Sequence, residues 1–221
     1  MIENNVRELL SAIPEKNPFG EKVTLVAATK TRTAEEINRA IEAGITDIGE
    51  NKVQEFRDKF DFVRGGNRHF IGHLQTNKVK YLIGKTYLIH SVDRDELASE
   101  IAKRSLGAGI KSDILIQINI GCEESKGGYP LEEGFSTFER LAVAEGLCVK
   151  GFMAMLPISN DEMLLGGLCD EMRKLYEKAK AADPNVEYLS MGMSGDWELC
   201  VKHGANMIRL GTAIFGERNY F

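Results

Sequence analysis

Several features that would assign a chain to a large class of proteins are missing from these 221 residues. No apolar run is long enough to span a bilayer, and the first five residues, MIENN, lack the basic and apolar pattern of a signal peptide. No linker and no low-complexity tract divides the chain. We therefore expect a cytoplasmic protein without membrane contact, folded as a single domain over residues 1–221.

Charge and metal-ligand spacing exclude further classes. The chain has 28 basic and 33 acidic side chains, and a net charge of −5 argues against nucleic-acid binding through a general basic surface. The four cysteines form no C-x-x-C pair that would indicate zinc. His69 and His73 would lie about 13 Å apart on a strand, too far to share one zinc ion. We expect no metal site.

What is present is an alternation of strand and helix patterns. A helical spacing at 2–13 leads the chain, and eight apolar segments typical of buried parallel strands follow. The predicted strands cover 23–29, 45–49, 69–72, 87–92, 113–120, 149–155, 186–191 and 207–215. Predicted helices separate them, among them 52–63, one through Val79 and Leu82, and two with Thr33 and Asp93 as N-caps.

This alternation indicates an α/β fold with right-handed crossovers. Eight strand–helix units in about 200 residues match the smallest (β/α)8 barrels. An open doubly wound sheet is the alternative, but its G-x-G-x-x-G fingerprint fails because Ser112 stands where the third glycine is needed, and no P-loop sequence occurs. We predict a single (β/α)8 TIM barrel with an extra N-terminal helix.

One lysine ends the first predicted strand. Lys30 follows the apolar run 23–29, at the edge where such barrels gather their active-site groups. There it could pair with a phosphate or form a Schiff base, or it could be a solvated loop lysine.

Phosphate in these barrels often binds in the loops after strands seven and eight. The loop 190–196 offers small residues, the Ser194 hydroxyl and backbone N–H groups, while Gly211 and Thr212 offer close backbone approach and a hydroxyl. Arg209 interrupts an apolar strand, so it needs either an acidic neighbour or an anionic or acceptor ligand. Asn51 and Asn77 could bind a ligand or cap helices, and His73 could carry a proton.

Five segments recur together in one known family: Ala28-Thr29-Lys30, Gly49-Glu50-Asn51-x-x-Gln54-Glu55, His69-Phe70-Ile71-Gly72-x-Leu74-Gln75-x-Asn77-Lys78, Ser190-Met191-Gly192-Met193-Ser194-x-Asp196 and Arg209-x-Gly211-Thr212-Ala213-Ile214-Phe215-Gly216. Over nearly its whole length the chain resembles the pyridoxal phosphate homeostasis protein family. The resemblance implies a barrel similar to the alanine racemase N-terminal domain, with pyridoxal 5′-phosphate (PLP) as cofactor. His73 departs from the family pattern, which usually has proline there.

Carried over by motif, the resemblance makes Lys30 the residue that forms the Schiff base with PLP. Ser194, Gly211 and Thr212 match the positions that hold the phosphate, and Arg209 matches the arginine facing the pyridine nitrogen. An arginine there keeps that nitrogen unprotonated and weakens the ring as an electron sink. The resemblance also brings Asn51 beside the cofactor.

Three functions remain open at this point. The first is a PLP-binding protein that buffers the cofactor and passes it to apo-enzymes, without turnover, and as a monomer. The second is an amino-acid racemase, which would need a second base. Alanine racemases take that base from a C-terminal domain that we do not expect here, so His73 is the candidate. The third is an aldolase-type barrel using Lys30 on a phosphosugar, although no acid/base partner adjoins Lys30.

Overall fold

Eight parallel strands close into a barrel in the computed structural model, which describes residues 1–123 and 126–216. Each strand pairs with the next along the chain, and β8 pairs with β1. The strands are β1 (Thr24–Ala28), β2 (Asp47–Glu50), β3 (Asn67–Phe70), β4 (Leu88–Val92), β5 (Ser112–Ile118), β6 (Leu147–Ala154), β7 (Tyr188–Ser190) and β8 (Met207–Leu210). The predicted (β/α)8 barrel is therefore confirmed.

Helices connect the strands on the outside. They are α1 (Ile2–Ala12), α2 (Ala34–Glu42), α3 (Val53–Lys59), α4 (Asp95–Gly107), α5 (Gly134–Ala142), α6 (Glu162–Ala182), α7 (Trp197–Lys202) and α8 (Thr212–Phe215), with 3-10 helices at Thr76–Tyr81 and Leu131–Glu133. The extra helix α1 packs against α2 and α8, where Asn5 donates to the Ile214 carbonyl at 3.0 Å. None of the helices in the described ranges is long and apolar enough to cross a membrane.

Strand register decides which side chains enter the barrel. Paired residues on parallel strands point to the same face, and Val26 pairs with both Asp47 and Arg209. Val26 belongs to an apolar cluster contributed by alternate strand residues, namely Val26, Leu88, Leu115, Met153 and Met207. Asp47 and Arg209 therefore point into the barrel interior beside this cluster. The two larger apolar clusters fill the space between strands and helices.

Helix α2 begins as the sequence predicts. The Thr33 hydroxyl accepts from the Glu36 N–H at 3.2 Å, while the Glu36 carboxylate accepts from the Thr33 N–H at 2.8 Å. This reciprocal capping box satisfies two backbone donors that the helix itself cannot. It sets the start of α2 shortly after Lys30.

Two local predictions were wrong, and a third differs in the type of helix. Strand eight was predicted to run to 215, but it ends at Leu210, and residues 212–215 form α8 because the Ile214 and Phe215 N–H groups turn back to the Gly211 carbonyl. The helix predicted through Val79 and Leu82 is present as a 3-10 helix, which contains Val79 and has Leu82 as its C-cap. Asp93 does not cap α4; the N-cap is Arg94, and Asp93 accepts from the Arg94 side chain instead.

Candidate functional site

A cavity of about 390 Å³ opens at the carboxyl ends of the strands. It is lined by residues that end or directly follow β1, β2, β3, β6, β7 and β8: Ala28, Lys30, Arg32, Asn51, Ile71, Met155, Met193, Ser194, Gly195, Arg209, Gly211 and Thr212. All six site residues predicted from the sequence line this one cavity. Three of the lining residues are cationic, and no described aspartate or glutamate lines it. The cavity therefore suits an anionic ligand, although the chain as a whole is acidic.

The strand end that carries Lys30 is held by buried polar contacts. The Thr29 hydroxyl donates to Glu50 Oε1 at 2.7 Å, and Lys59 Nζ donates to the same oxygen at 2.7 Å and to the Thr29 carbonyl at 3.0 Å. Burial raises the pKa of Glu50, and the bonds from Lys59 and Thr29 oppose that rise. Residue 29 is thus fixed to β2 and α3 immediately before Lys30.

The residue after Lys30 has an unusual backbone conformation. Thr31 has φ of +65°, a left-handed conformation that is unusual for a β-branched residue. Its N–H donates to Glu55 Oε2 at 2.7 Å, and Lys59 Nζ contacts the same oxygen at 2.9 Å. Glu55 and Lys59 of α3 therefore hold the turn that directly follows Lys30.

Arg209 reaches the cavity from inside the barrel and is 6% exposed. Its Nη1 donates to the Ser190 carbonyl at 2.9 Å and to Ser190 Oγ at 2.7 Å, and Nη2 donates to the Ala154 carbonyl at 3.0 Å. Burial lowers the pKa of its guanidinium to about 10. No carboxylate of the described residues forms a salt bridge with it, so the acidic neighbour that the sequence left open is not found there.

The loop after β7 is shaped by a glycine. Gly192 has φ of +103°, and a Cβ there would lie 2.9 Å from the Trp197 Cα. Its carbonyl accepts from the Arg209 N–H at 2.9 Å, which ties the loop to β8. The Asp196 carboxylate accepts from the Met193 N–H, so the loop closes on itself. None of the described residues accepts from the N–H of Ser194, which lines the cavity.

Gly211 and Thr212 lie with Ser194 in the part of the cavity that offers hydrogen-bond donors for a phosphate. A Cβ at Gly211 would lie 3.2 Å from the Ala28 carbonyl oxygen, so the glycine lets β8 approach β1 closely. Thr212 starts α8, and the first N–H groups of any helix have no acceptor within it. Two loops on adjacent strands thus offer hydroxyls and backbone donors to one cavity.

Asn51 contributes an orphaned polar atom. Its Oδ1 is shielded from solvent and has no hydrogen-bond partner among the described residues. Gly72 packs directly against the Asn51 backbone, since a Cβ at Gly72 would lie 2.0 Å from the Asn51 carbonyl oxygen. A buried amide without a partner is costly, so a ligand that hydrogen-bonds Asn51 would relieve that cost.

His73 and Asn77 lie away from this cavity. His73 lines a neighbouring cavity with Lys52, Arg57 and Lys78, where its Nδ1 lies 3.2 Å from Asp93 and its side chain is 67% exposed. Asn77 lies in the 3-10 helix Thr76–Tyr81. Neither residue lines the Lys30 cavity. Within residues 1–123 and 126–216, no group of His, Cys, Asp or Glu side chains could hold a metal ion.

Sequence reasoning missed the residues that support the site. Glu50, Glu55 and Lys59 hold the Lys30 strand end, and Ser190 holds Arg209. Glu50, Glu55 and Ser190 stand within the recurring motifs, which was the available signal. Lys59 lies outside them, and only the folded geometry identifies it.

Comparison with known proteins agrees with this geometry. Residues 1–219 match the family described as alanine racemase, N-terminal domain. A pyridoxal phosphate homeostasis protein of Aquifex aeolicus is 40% identical over 227 aligned residues, covering 98% of this chain and 97% of that one. The protein of the same name in Escherichia coli K12 is 35% identical, with 97% and 94% covered. The chain belongs to the pyridoxal phosphate homeostasis protein family.

Solved structures extend this family assignment. PipY of Synechococcus elongatus with PLP bound superposes with a TM-score of 0.84 at 28% identity, covering 98% of this chain and all of PipY. The same protein without PLP gives a TM-score of 0.88. A D-threonine aldolase from Filomicrobium marinum, at 18% identity and a TM-score of 0.76, shares the fold.

Proposed function

We propose that this chain binds PLP in the cavity at the carboxyl ends of the strands, with Lys30 as the residue that forms the Schiff base. It would serve PLP homeostasis in the cell by buffering the cofactor and delivering it to apo-enzymes, without turnover of its own. The homeostasis role rests on the names of the relatives and on the PLP-bound PipY structure.

The observation that carries the proposal is the grouping of Lys30 and Arg209 in one cavity with the loops after β7 and β8. A PLP-binding protein needs an amine for the aldehyde, donors for the phosphate and a group for the ring nitrogen. Lys30 supplies the first, Ser194, Gly211 and Thr212 the second, and Arg209 the third. A cavity of about 390 Å³ is also within the usual range of small-ligand sites, roughly 300–1,000 Å³.

Two further features fit this group. The orphaned Oδ1 of Asn51 gives the cavity one unused hydrogen-bonding amide for a polar ring substituent. The absence of any described carboxylate from the lining suits a ligand with a phosphate dianion. Arg209 is held by two carbonyls and one hydroxyl, and no described carboxylate forms a salt bridge with it, so its guanidinium can interact with a ligand in the cavity.

The first experiment is the visible absorbance spectrum of the purified protein, before and after borohydride, followed by peptide mapping. We expect a yellow protein that bleaches, with the reduced label on Lys30. Lys30→Ala should abolish the label without unfolding the protein, because the lysine is at a strand end. Lys22→Ala is the matched control, since Lys22 lines a cavity at the opposite end of β1 and should leave the label intact. One stoichiometric label in Lys30→Ala would contradict the assignment.

Delivery and turnover need separate measurements. Loaded protein should reactivate an apo-aminotransferase even when a PLP-scavenging protein removes the free cofactor, whereas the same amount of free PLP should not. Equal loss of reactivation in both samples would refute direct delivery. Incubation with L-alanine in deuterated water should leave the Cα hydrogen unexchanged. Rapid exchange would favour the racemase alternative.

A further inference from the structure

A row of hydrogen-bonded side chains crosses the barrel interior from β2 to β8. Asp47 Oδ1 lies 2.9 Å from His69 Nε2, and His69 Nδ1 lies 2.8 Å from His90 Nε2. His90 Nδ1 lies 3.2 Å from Ser190 Oγ, which accepts from Arg209 Nη1 at 2.7 Å. All five residues are buried, with exposures between 0% and 6%. A buried anion and the buried cation of the cavity are thereby connected through two imidazoles and one hydroxyl.

The two ends determine the direction of the donors. A guanidinium can only donate, so Ser190 Oγ must accept from Arg209. At the other end the Asp47 carboxylate must accept from His69 Nε2, provided that it is ionised. Burial raises the pKa of Asp47, but hydrogen bonds from His69, Thr46 and Asn67 outweigh that effect and lower it. Asp47 is therefore a carboxylate at neutral pH.

Only one arrangement of protons keeps both imidazoles neutral and satisfies every hydrogen bond between these ends. If His69 carries its proton on Nε2, its Nδ1 must accept from His90 Nε2. His90 Nδ1 then accepts from the Ser190 hydroxyl. Each group accepts one hydrogen bond and donates the next, from Arg209 to Asp47, and such chains polarise and strengthen one another in a low-dielectric interior.

The reversed arrangement is costly. It requires an extra proton on His69, which would then donate to His90, and His90 would donate from Nδ1 to Ser190. Ser190 Oγ would accept twice, and its own proton would have no acceptor among the described residues. The extra proton would also add a second cation to an interior that already holds Arg209, and Asp47 is the one carboxylate of this row that could pair with it. Full burial lowers the pKa of His90 well below its ordinary value, and the charge of Arg209 lowers it further, which agrees with a neutral His90 ring.

We propose that Asp47, His69, His90 and Ser190 form a one-directional hydrogen-bond chain that positions Arg209 in the cavity, with both imidazoles neutral and protonated at Nε2. These are positioning residues, since they act on the ligand only through Arg209. The tautomers can be tested without any ligand. The effect on PLP rests on the proposed function.

The tautomers are read by long-range ¹H–¹⁵N NMR of the histidine rings in the cofactor-free protein near neutral pH. The protein has four histidines. The variants His73→Gln and His203→Gln assign the signals of the two histidines that are not part of the hydrogen-bond chain. We expect His69 and His90 both with the proton on Nε2 and an unprotonated Nδ1. An imidazolium at His69, or a proton on Nδ1 of His90, would overturn the proposal.

A variant at Asp47, the end of the hydrogen-bond chain opposite Arg209, tests whether its members are coupled. Asp47→Asn keeps an oxygen that can accept from His69 but removes the negative charge, and it does not touch His90. We expect the His90 ring nitrogens to shift in this variant. Unchanged His90 resonances would mean separate contacts with no continuous chain.

Ser190→Ala tests the positioning of Arg209. It removes the hydroxyl between His90 and Arg209 and leaves the two carbonyl bonds of the guanidinium in place. We expect the dissociation constant for PLP to rise about threefold to tenfold, with a shifted absorbance maximum of the bound cofactor. Ser105→Ala is the matched control, because Ser105 is also a fully buried serine bonded to another hydroxyl, that of Ser112, away from the cavity. It should change neither quantity.

The outcomes separate the two proposals. If the wild-type protein binds no PLP but the predicted tautomers are found, the proposed function is refuted and the hydrogen-bond chain is supported. If PLP binds and Ser190→Ala behaves like Ser105→Ala, the positioning role is refuted. Thermal denaturation of both serine variants checks that each is folded.

Discussion

Replacing Arg209 by methionine separates ligand binding from fold stability. The side chain is buried, and the fall in its pKa to about 10 means that carrying its charge in the fold costs on the order of 3 kcal/mol at neutral pH. Its three hydrogen bonds to neutral acceptors return roughly 1.5 kcal/mol each, the lower end of the range for a charged donor. The two contributions largely cancel, and methionine fills a similar volume. We expect Arg209→Met to change the free energy of unfolding by less than about 2 kcal/mol.

The effect on PLP should be much larger than the effect on stability. A hydrogen bond from a charged donor to the ring nitrogen contributes roughly 1.5–3 kcal/mol, so its loss should raise the dissociation constant about tenfold to a hundredfold. The Schiff base on Lys30 should still form and still be trapped by borohydride. Equilibrium titration followed by absorbance measures the first quantity, and urea denaturation measures the stability.

Arg173→Met is the matched control for this experiment. Arg173 is another buried arginine, but it binds Glu21, Glu177 and the Gly204 carbonyl and does not line the cavity. Its loss leaves a largely buried carboxylate without its main partner and should destabilise the fold by about 2–3 kcal/mol, with an unchanged dissociation constant. If Arg209→Met binds PLP as tightly as the wild type, Arg209 does not face the ligand and the proposed orientation is wrong.

Three further predictions concern single side chains. Thr212→Val removes a hydroxyl from the phosphate side and should raise the PLP dissociation constant about fivefold while the label on Lys30 is kept; an unchanged constant would exclude the hydroxyl as a phosphate ligand. Burial opposes the ionisation of Glu21, but hydrogen bonds from its cationic neighbours hold its pKa at about 2, below the unfolded value near 4.5. The carboxylate therefore stabilises the fold above pH ~4.5 and loses this effect as the pH falls towards 2. The melting temperature of Glu21→Gln should be lower than that of the wild type at neutral pH, and the gap should close on acidification; a constant gap would contradict the ion pairing. His73→Ala should leave PLP affinity unchanged, because His73 lines the neighbouring cavity, and weaker binding would mean that the two cavities communicate.

Much of the fold could be predicted from local patterns. Alternating apolar strands and amphipathic helices indicate a parallel barrel, and Thr33 with Glu36 marks a helix start by chemistry that depends only on adjacent residues. Once a barrel is predicted, residues that follow different strands must meet at one edge. This is why Lys30, Asn51 and Thr212 could be assigned to one site from the sequence alone, although they are far apart in the chain.

Element ends were less predictable, because they depend on contacts that local patterns do not contain. The segment 207–215 is apolar enough for one long strand, yet the Ile214 and Phe215 N–H groups donate to the Gly211 carbonyl and the chain turns there into α8. Asp93 has the chemistry of a cap, but an adjacent arginine takes its carboxylate. In both places a contact that periodicity does not reveal outweighs the local preference.

The sequence by itself determined the order of strands and helices and the set of residues at the barrel mouth, since both follow from periodicity and from the common direction of parallel strands. Only the tertiary structure decided what lies behind Arg209. His69 and His90 belong to different strands, and nothing in their spacing predicts that the two rings meet or that Asp47 and Ser190 extend the row. Closing the barrel brings β2, β3, β4, β7 and β8 around one interior, and strand register points these four side chains into it. A residue's face and neighbours depend on pairing across the whole sheet, so this polar chain arises from the closed barrel and not from any single segment.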